Sequence, residues 1–229
     1  MSGYQVQGRP VAMPVQVRDA SAATVIYDVP LDAARQLLPS EAFAPVESSP
    51  GRAQLAIGLI DYRDNDLGAY HEVGVILFVR PRAGGPDGTF ITRLPVDQEF
   101  TCAAGRTIWG FPKSVERIEV SDAPGSSTWA LWMDGELVLR LTVPAEGAEE
   151  MTPMDLVAYT LLDGVPHATS FTQGGTESSI GFGEGVVLEL GAHPVAQELA
   201  ALGLPATPVL STWTGRMRAT FHAPVPISP

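Results

Sequence analysis

Lys113 is the one lysine in 229 residues, and the other 13 of the 14 Lys and Arg residues are arginine. It lies in Gly105-Arg106-Thr107-Ile108-Trp109-Gly110-Phe111-Pro112-Lys113-Ser114. Arginine serves wherever a permanent cation is needed, but it is never deprotonated in proteins and cannot act as an amine nucleophile. Either the chain needs an amine at this position, or composition drift has left one stray surface lysine. The neighbours favour the amine: Trp109 and Phe111 are bulky and apolar, and Pro112 stiffens the backbone just before the lysine. Drying matters because, at a reference pKa of about 10.4, only roughly one lysine in 2,500 is neutral at pH 7. Lowering the pKa to about 7 makes half of them neutral, at a cost of about 4.6 kcal/mol against the ammonium form. Such an amine attacks a ketone, loses water and leaves a protonated imine, an electron sink for breaking or making carbon–carbon bonds.

A second reactive group stands in the clearest strand pattern of the chain, residues 70–79. Alternation puts Glu72, Gly74, Ile76 and Phe78 on one face and His71, Val73, Val75, Leu77 and Val79 on the other. Both faces are apolar, as in a barrel strand covered inside and out. A carboxylate in such a run sits at a solvated strand end or is there for chemistry; His71 points the other way, toward packing or solvent.

The elements that must position these groups can be read on either side. Residues 90–96 form a strand, Asp97 is placed to cap a helix carrying Phe100, Ala103, Ala104 and Ile108, and Gly110 and Pro112 end it. Lys113 then opens the strand 115–120, just past a helix C-terminus that would raise its pKa. Strands are predicted at 22–27 and 53–62, with a short helix over 31–38 between them. Residues 1–18, with alternating Val11, Met13, Val15 and Val17, read as an extended arm leading to a strand that Arg18 ends. Asp134-Gly135 signals a hairpin between 128–133 and 136–143. Thr152-Pro153 could open a helix, but Asp163-Gly164 reads as a turn between strands, so strands are expected from Val157 onward. The Gly, Ser and Thr-rich residues 172–185 read as a loop over the site or a connector. Pro194 to Leu202 is predicted as a helix, and 208–213 and 216–221 as closing strands.

The run Gly105-Arg106-x-x-x-Gly110-Phe111-Pro112-Lys113 resembles the signature of the acetoacetate decarboxylase-like family, whose Schiff-base lysine follows an aromatic-Pro pair. Residues 27–39 (YDVPLDAARQLLP) are similar to the family's early strand and short helix. Residues 67–72 are similar to the segment that brings its active-site glutamate, and 204–221, with Thr212-Trp213, to its closing strands. The resemblance implies a mainly β fold with a few short helices, an antiparallel closed or cone-like barrel forming a single domain over residues 1–229. It implies Lys113 and Glu72 as catalytic residues, substrate contacts from Trp109, Phe111, Ser114 and Arg106, no cofactor, and a homo-oligomer. The family's carboxylate-binding arginine falls on Ala20 in an ungapped register and on Arg18 only if two residues are skipped. A second lysine of the family is replaced by Ser114, and a second glutamate by Ala56 or Ile57.

Composition excludes several classes. A net charge of −12 leaves no clustered cations for nucleic acid or an anionic membrane surface. With 45% hydrophobic residues the chain can bury a sizeable core. The single Cys102 cannot form an intrachain disulfide; it suits a reducing compartment, and its helical pattern favours buried packing over a reactive thiol. No signal segment or apolar run of membrane-spanning length is visible, so a cytoplasmic location is expected. The four histidines are dispersed without metal-ligand spacing, and no G-x-S-x-G is present. The expected function is a Schiff-base lyase acting on a small keto acid. Decarboxylation of a β-keto acid and aldolase-dehydratase condensation both remain open, with a non-catalytic barrel that binds a small apolar ligand as the other class.

Overall fold

Long strands with alternating inward and outward side chains organise the computed structural model, which describes residues 3–227. Seven strands close a barrel in chain order: Val15–Pro30, Arg52–Asn65, Tyr70–Pro81, Gly88–Val96, Glu149–Leu162, Val165–Gly181 and Leu210–Phe221, the last pairing back onto the first. Closure gives each barrel strand a neighbour on both sides. Pairing is antiparallel around the ring except where Gly88–Val96 meets Glu149–Leu162 in parallel. A parallel pair needs a long crossover, and this crossover carries Lys113.

The excursion begins with the helix Glu99–Ala104, tightens into a π-helical turn Gly105–Trp109, and returns as the short strand Lys113–Val115. It then contributes Arg117–Ala123, Ser126–Met133 and Glu136–Pro144 to a separate four-stranded sheet, which Val187–Leu190 completes from later in the chain. That sheet and the helix Pro194–Ala201 cover the barrel's outside, where Tyr27, Ile57, Leu59 and Val73 pack with Trp129 and Leu139. The two-faced reading of residues 70–79 is therefore correct, with the odd-numbered positions in this outer core and the even-numbered ones lining the interior. His71 follows the outward set: Nδ1 lies 2.6 Å from Asp97 Oδ2 and its ring meets Trp129 edge-on. Cys102 is buried, as expected.

Three local expectations are corrected, and the choice of strand over helix near Thr152 is upheld. Asp97 does not cap the helix; its carboxylate accepts from the His71 backbone N–H, and the Gln98 side chain accepts from the Thr101 N–H instead. Residues 3–12 are a hairpin, Gly3–Val6 with Arg9–Ala12, and not an arm. No helix forms at Thr152, because the turn at Asp163-Gly164 pairs Glu149–Leu162 with Val165–Gly181, and Pro153 falls at a register shift where it need not donate. Residues 172–181 are strand and not loop. A Cβ on Gly175 would stand 2.4 Å from the Arg216 carbonyl oxygen, so this glycine marks close backbone approach within a sheet.

Candidate active site

Two registers bring the reactive groups together. Glu72 lies opposite Val96 in the antiparallel pair, and Lys113 lies opposite Leu94 in the short parallel pair on the other edge of the same strand. Glu72, Leu94 and Lys113 all face the interior, and the Lys113 Nζ sits 2.7 Å from Glu72 Oε2 with both side chains at most 8% exposed. Thr101 Oγ1 accepts from Nζ at 3.2 Å, Tyr70 OH lies 3.4 Å away, and Nζ is 4.8 Å from the centre of the Tyr70 ring. The Tyr62 hydroxyl donates to Glu72 Oε1 at 3.3 Å, and its ring stacks on Tyr70 with centroids 4.4 Å apart.

The backbone approaching the lysine is shaped by two glycines. Gly105 leaves room for the lysine stem, and Gly110, at φ 70°, turns the chain out of the π turn where a Cβ would stand 2.7 Å from the Leu161 carbonyl oxygen. Trp109 is anchored by Nε1 donating to the His222 carbonyl at 2.8 Å, while its own carbonyl accepts from the buried Thr160 hydroxyl at 2.6 Å. Trp109 and Phe111 both line the cavity, with ring centroids 5.8 Å apart.

Burial is the largest influence on the Lys113 amine and pulls its pKa down, but the charge of Glu72, aided by Tyr70, outweighs it and holds the amine above its ordinary value. The dry surroundings read from Trp109, Phe111 and Pro112 are present, and the opposition between burial and charge left open by the sequence resolves upward, through Glu72. Burial, then the Glu72 charge, pushes the Tyr62 phenol well up, and burial likewise raises Tyr70. All four groups therefore form a buried cluster in which one proton can move between amine and carboxylate without crossing solvent.

The interior cavity measures about 360 Å³, and Glu72 and Lys113 are the charged residues among those that line it. Arg18 is not there. It projects outward from Val15–Pro30, half exposed and held by Asp64 at 2.8 Å and Asp66 at 2.6 Å, because the neighbouring Val15 and Val17 take the inward positions. Arg106 is exposed on the π turn, and Ser114, half-buried, alternates away from Lys113; neither lines the cavity. Ala56 lines it where the resemblance places a second glutamate, so the cavity has a methyl group at that point. Tyr62, Tyr70 and Thr101 were not singled out from the sequence. Tyr70 had a signal, since it lies two positions before Glu72 on the same strand face; Tyr62 and Thr101 reach the cluster only through strand pairing and the helix return.

Among the described residues, no group of three or more His, Cys, Asp or Glu is placed to hold a metal ion, and no helix is long and apolar enough to cross a membrane. The family model for acetoacetate decarboxylase matches residues 4–225. The chain belongs to the acetoacetate decarboxylase family. No curated protein sequence matches it. Acetoacetate decarboxylase from Legionella pneumophila shares the fold with a TM-score of 0.69 at 19% identity, over 95% of this chain and 88% of that one. The enduracididine biosynthesis enzyme MppR complexed with pyruvate has a TM-score of 0.65 at 19% identity, over 99% and 98%. An acetoacetate decarboxylase-like enzyme from Sphingomonas wittichii RW1 has a TM-score of 0.60 at 14% identity, over 99% and 100%. At these identities the three relatives share the family's barrel.

Proposed function

We propose that this acetoacetate decarboxylase family member is a Schiff-base-forming carbon–carbon lyase that decarboxylates a β-keto acid, with Lys113 as nucleophile and Glu72 as acid and base. One observation carries the reading: the chain's single lysine meets a carboxylate at 2.7 Å inside a cavity lined by no other charged residue.

An ammonium ion cannot attack a carbonyl, so a proton must leave Nζ first. A substrate that fills the cavity displaces water, and drying penalises an ion pair more than a neutral amine beside a neutral acid. The proton then crosses to Glu72. Neutral Nζ adds to the ketone, Glu72 returns its proton to the departing hydroxyl, and water leaves a protonated imine. The bond to the substrate carboxylate breaks, its electron pair passes to the iminium nitrogen, and CO₂ departs from a neutral enamine. Protonation at carbon and attack by a Glu72-activated water release the ketone and the amine, with one proton taken up per turnover.

The apolar wall favours this reaction over its alternative. A β-keto acid loses its charge as CO₂, whereas a pyruvate donor keeps its carboxylate through a condensation, and no arginine is among the residues lining this cavity. Aldolase-dehydratase chemistry on pyruvate and an aldehyde would start from the same imine; MppR, solved with pyruvate and with the condensation product of pyruvate and imidazole 4-carboxaldehyde, keeps it as the second reading.

The test is borohydride reduction with acetoacetate, pyruvate and a panel of other 2- and 3-keto acids, followed by intact mass and peptide mapping. The expected adduct maps to Lys113, is absent in Lys113→Arg, and has the mass of decarboxylated substrate. Adducts of intact pyruvate mass would favour condensation. No adduct in a folded protein would leave a barrel that binds ligands without chemistry.

A further inference from the structure

Beyond Glu72 the inner wall is hollowed in a regular way. Along the paired strands Arg52–Asn65 and Tyr70–Pro81, the inward rungs run Ile60 with Glu72, Gly58 with Gly74, then Ala56 with Ile76. Two glycines face each other on the rung directly beyond the carboxylate. Neither has a positive φ, so the backbone does not require glycine at either place. Neighbouring backbone does not require it either: a Cβ on Gly58 would first meet the Ile76 side chain at 3.4 Å, and one on Gly74 would meet Ile76 at 3.3 Å and Leu94 at 3.4 Å. Glycine inside a strand costs about 0.5–1 kcal/mol relative to alanine. The pairing with Gly88–Val96 shifts register between Val75 and Ile76, and a glycine can mark such a bulge; on the interior side the two glycines together leave space that a ligand can occupy.

Resting on the lyase reading above, we infer that the substrate is a β-keto acid with an apolar tail, of roughly eight to ten carbons or an aryl equivalent. Its keto group lies at Lys113 and its tail along the Gly58–Gly74 and Ala56–Ile76 rungs. The size follows from the cavity. At about 30 Å³ for each water-sized group, 360 Å³ admits about twelve non-hydrogen atoms, against about seven in acetoacetate. The chemistry follows from the wall, since Ile76, Phe78, Ile91 and Leu156 continue it and no charged residue lines it beyond Glu72. A short keto acid would leave this stretch wet and the ion pair solvated; a tail fills it and supplies the drying that frees the amine.

The test measures CO₂ release and borohydride trapping for acetoacetate, 3-oxohexanoate, 3-oxooctanoate and benzoylacetate. In parallel, calorimetry follows 2-alkanols of increasing length, which cannot form an imine. Each added methylene is expected to raise kcat/KM and alkanol affinity about fourfold until the cavity is full. In Gly74→Val and in Ala56→Leu, the preference for 3-oxooctanoate over acetoacetate is expected to fall by about tenfold or more. Imine formation with no dependence on tail length, or an unchanged preference in both folded variants, would overturn the inference and leave the lyase reading standing. Alkanols that tighten with length, with no imine from any keto acid, would retain the apolar site and remove the lyase.

Discussion

Gly105 lies directly beneath the Lys113 side chain: a Cβ there would stand 2.6 Å from the lysine Cδ and 2.8 Å from Cε. The absence of one methyl group thus sets the path of the amine. Gly105→Ala is expected to push Nζ off Glu72 and slow borohydride trapping by about a hundredfold, the scale of a misplacement near 1 Å. Helix propensity favours alanine by about 1 kcal/mol and offsets part of a packing cost of about 1–3 kcal/mol. Denaturant melts should therefore change much less than reactivity. Wild-type trapping rates in a folded Gly105→Ala protein would show that the stem has room to spare.

Removing the Glu72 charge leaves burial as the main influence on Lys113. In Glu72→Gln the amine pKa should move down, so trapping of a simple ketone should reach half its maximum at a lower pH than in wild type. Turnover should nevertheless drop by about a hundredfold or more, because the proton carrier is lost. A pH–trapping profile of both proteins checks the two effects separately, and an unshifted midpoint would mean that Glu72 does not govern the amine.

Stability should fall on the alkaline side. The folded Lys113 pKa is raised above the unfolded value, so the folded state keeps its proton to higher pH and the pair's contribution is fully present below the ordinary lysine pKa. As pH rises through the folded value, that contribution is lost. Tyr62 and Tyr70 act in the same direction, since their raised pKa values disfavour ionisation in the folded state while the unfolded chain releases those protons at ordinary phenol pH. Thermal melts from pH 8 to about 11 should show a fall in Tm that is smaller in a Lys113→Met, Tyr62→Phe double variant.

Gly110 carries φ 70° and faces the Leu161 carbonyl. Gly110→Ala combines left-handed strain of about 1–2 kcal/mol with a steric clash, so destabilisation of about 2–4 kcal/mol is expected. Chemical denaturation gives the value; a loss below about 1 kcal/mol would mean that the turn can relax away from Leu161.

Arg18 pairs outside the barrel with Asp64 and Asp66. Arg18→Ala should leave keto-acid trapping and KM within about twofold of wild type, as for an exposed ion pair remote from the chemistry. A KM raised by about tenfold or more for keto acids, but not for neutral ketones, would restore it as a carboxylate-binding residue.

Much of this architecture is legible along the chain because it depends on near neighbours. Period-two alternation assigned Glu72 and His71 to opposite faces, and Gly110 with Pro112 marked the end of the helical segment before Lys113. The errors share a cause. Asp97 and the Gly-rich strand each had a sound local signal, and each was overridden by a strand partner distant in sequence.

The sequence by itself singled out a lone lysine on a stiff aromatic segment, a carboxylate in a strand apolar on both faces, and the family pattern joining them. Tertiary structure alone decided that Leu94 and Val96 carry these groups into one cavity, that Glu72 raises the lysine pKa that burial would lower, and that Arg18 stays outside. The reason is geometric. Residue type and spacing act within a few positions of the chain, whereas closing a barrel fixes register among all seven strands together, and register determines which side chains share the interior.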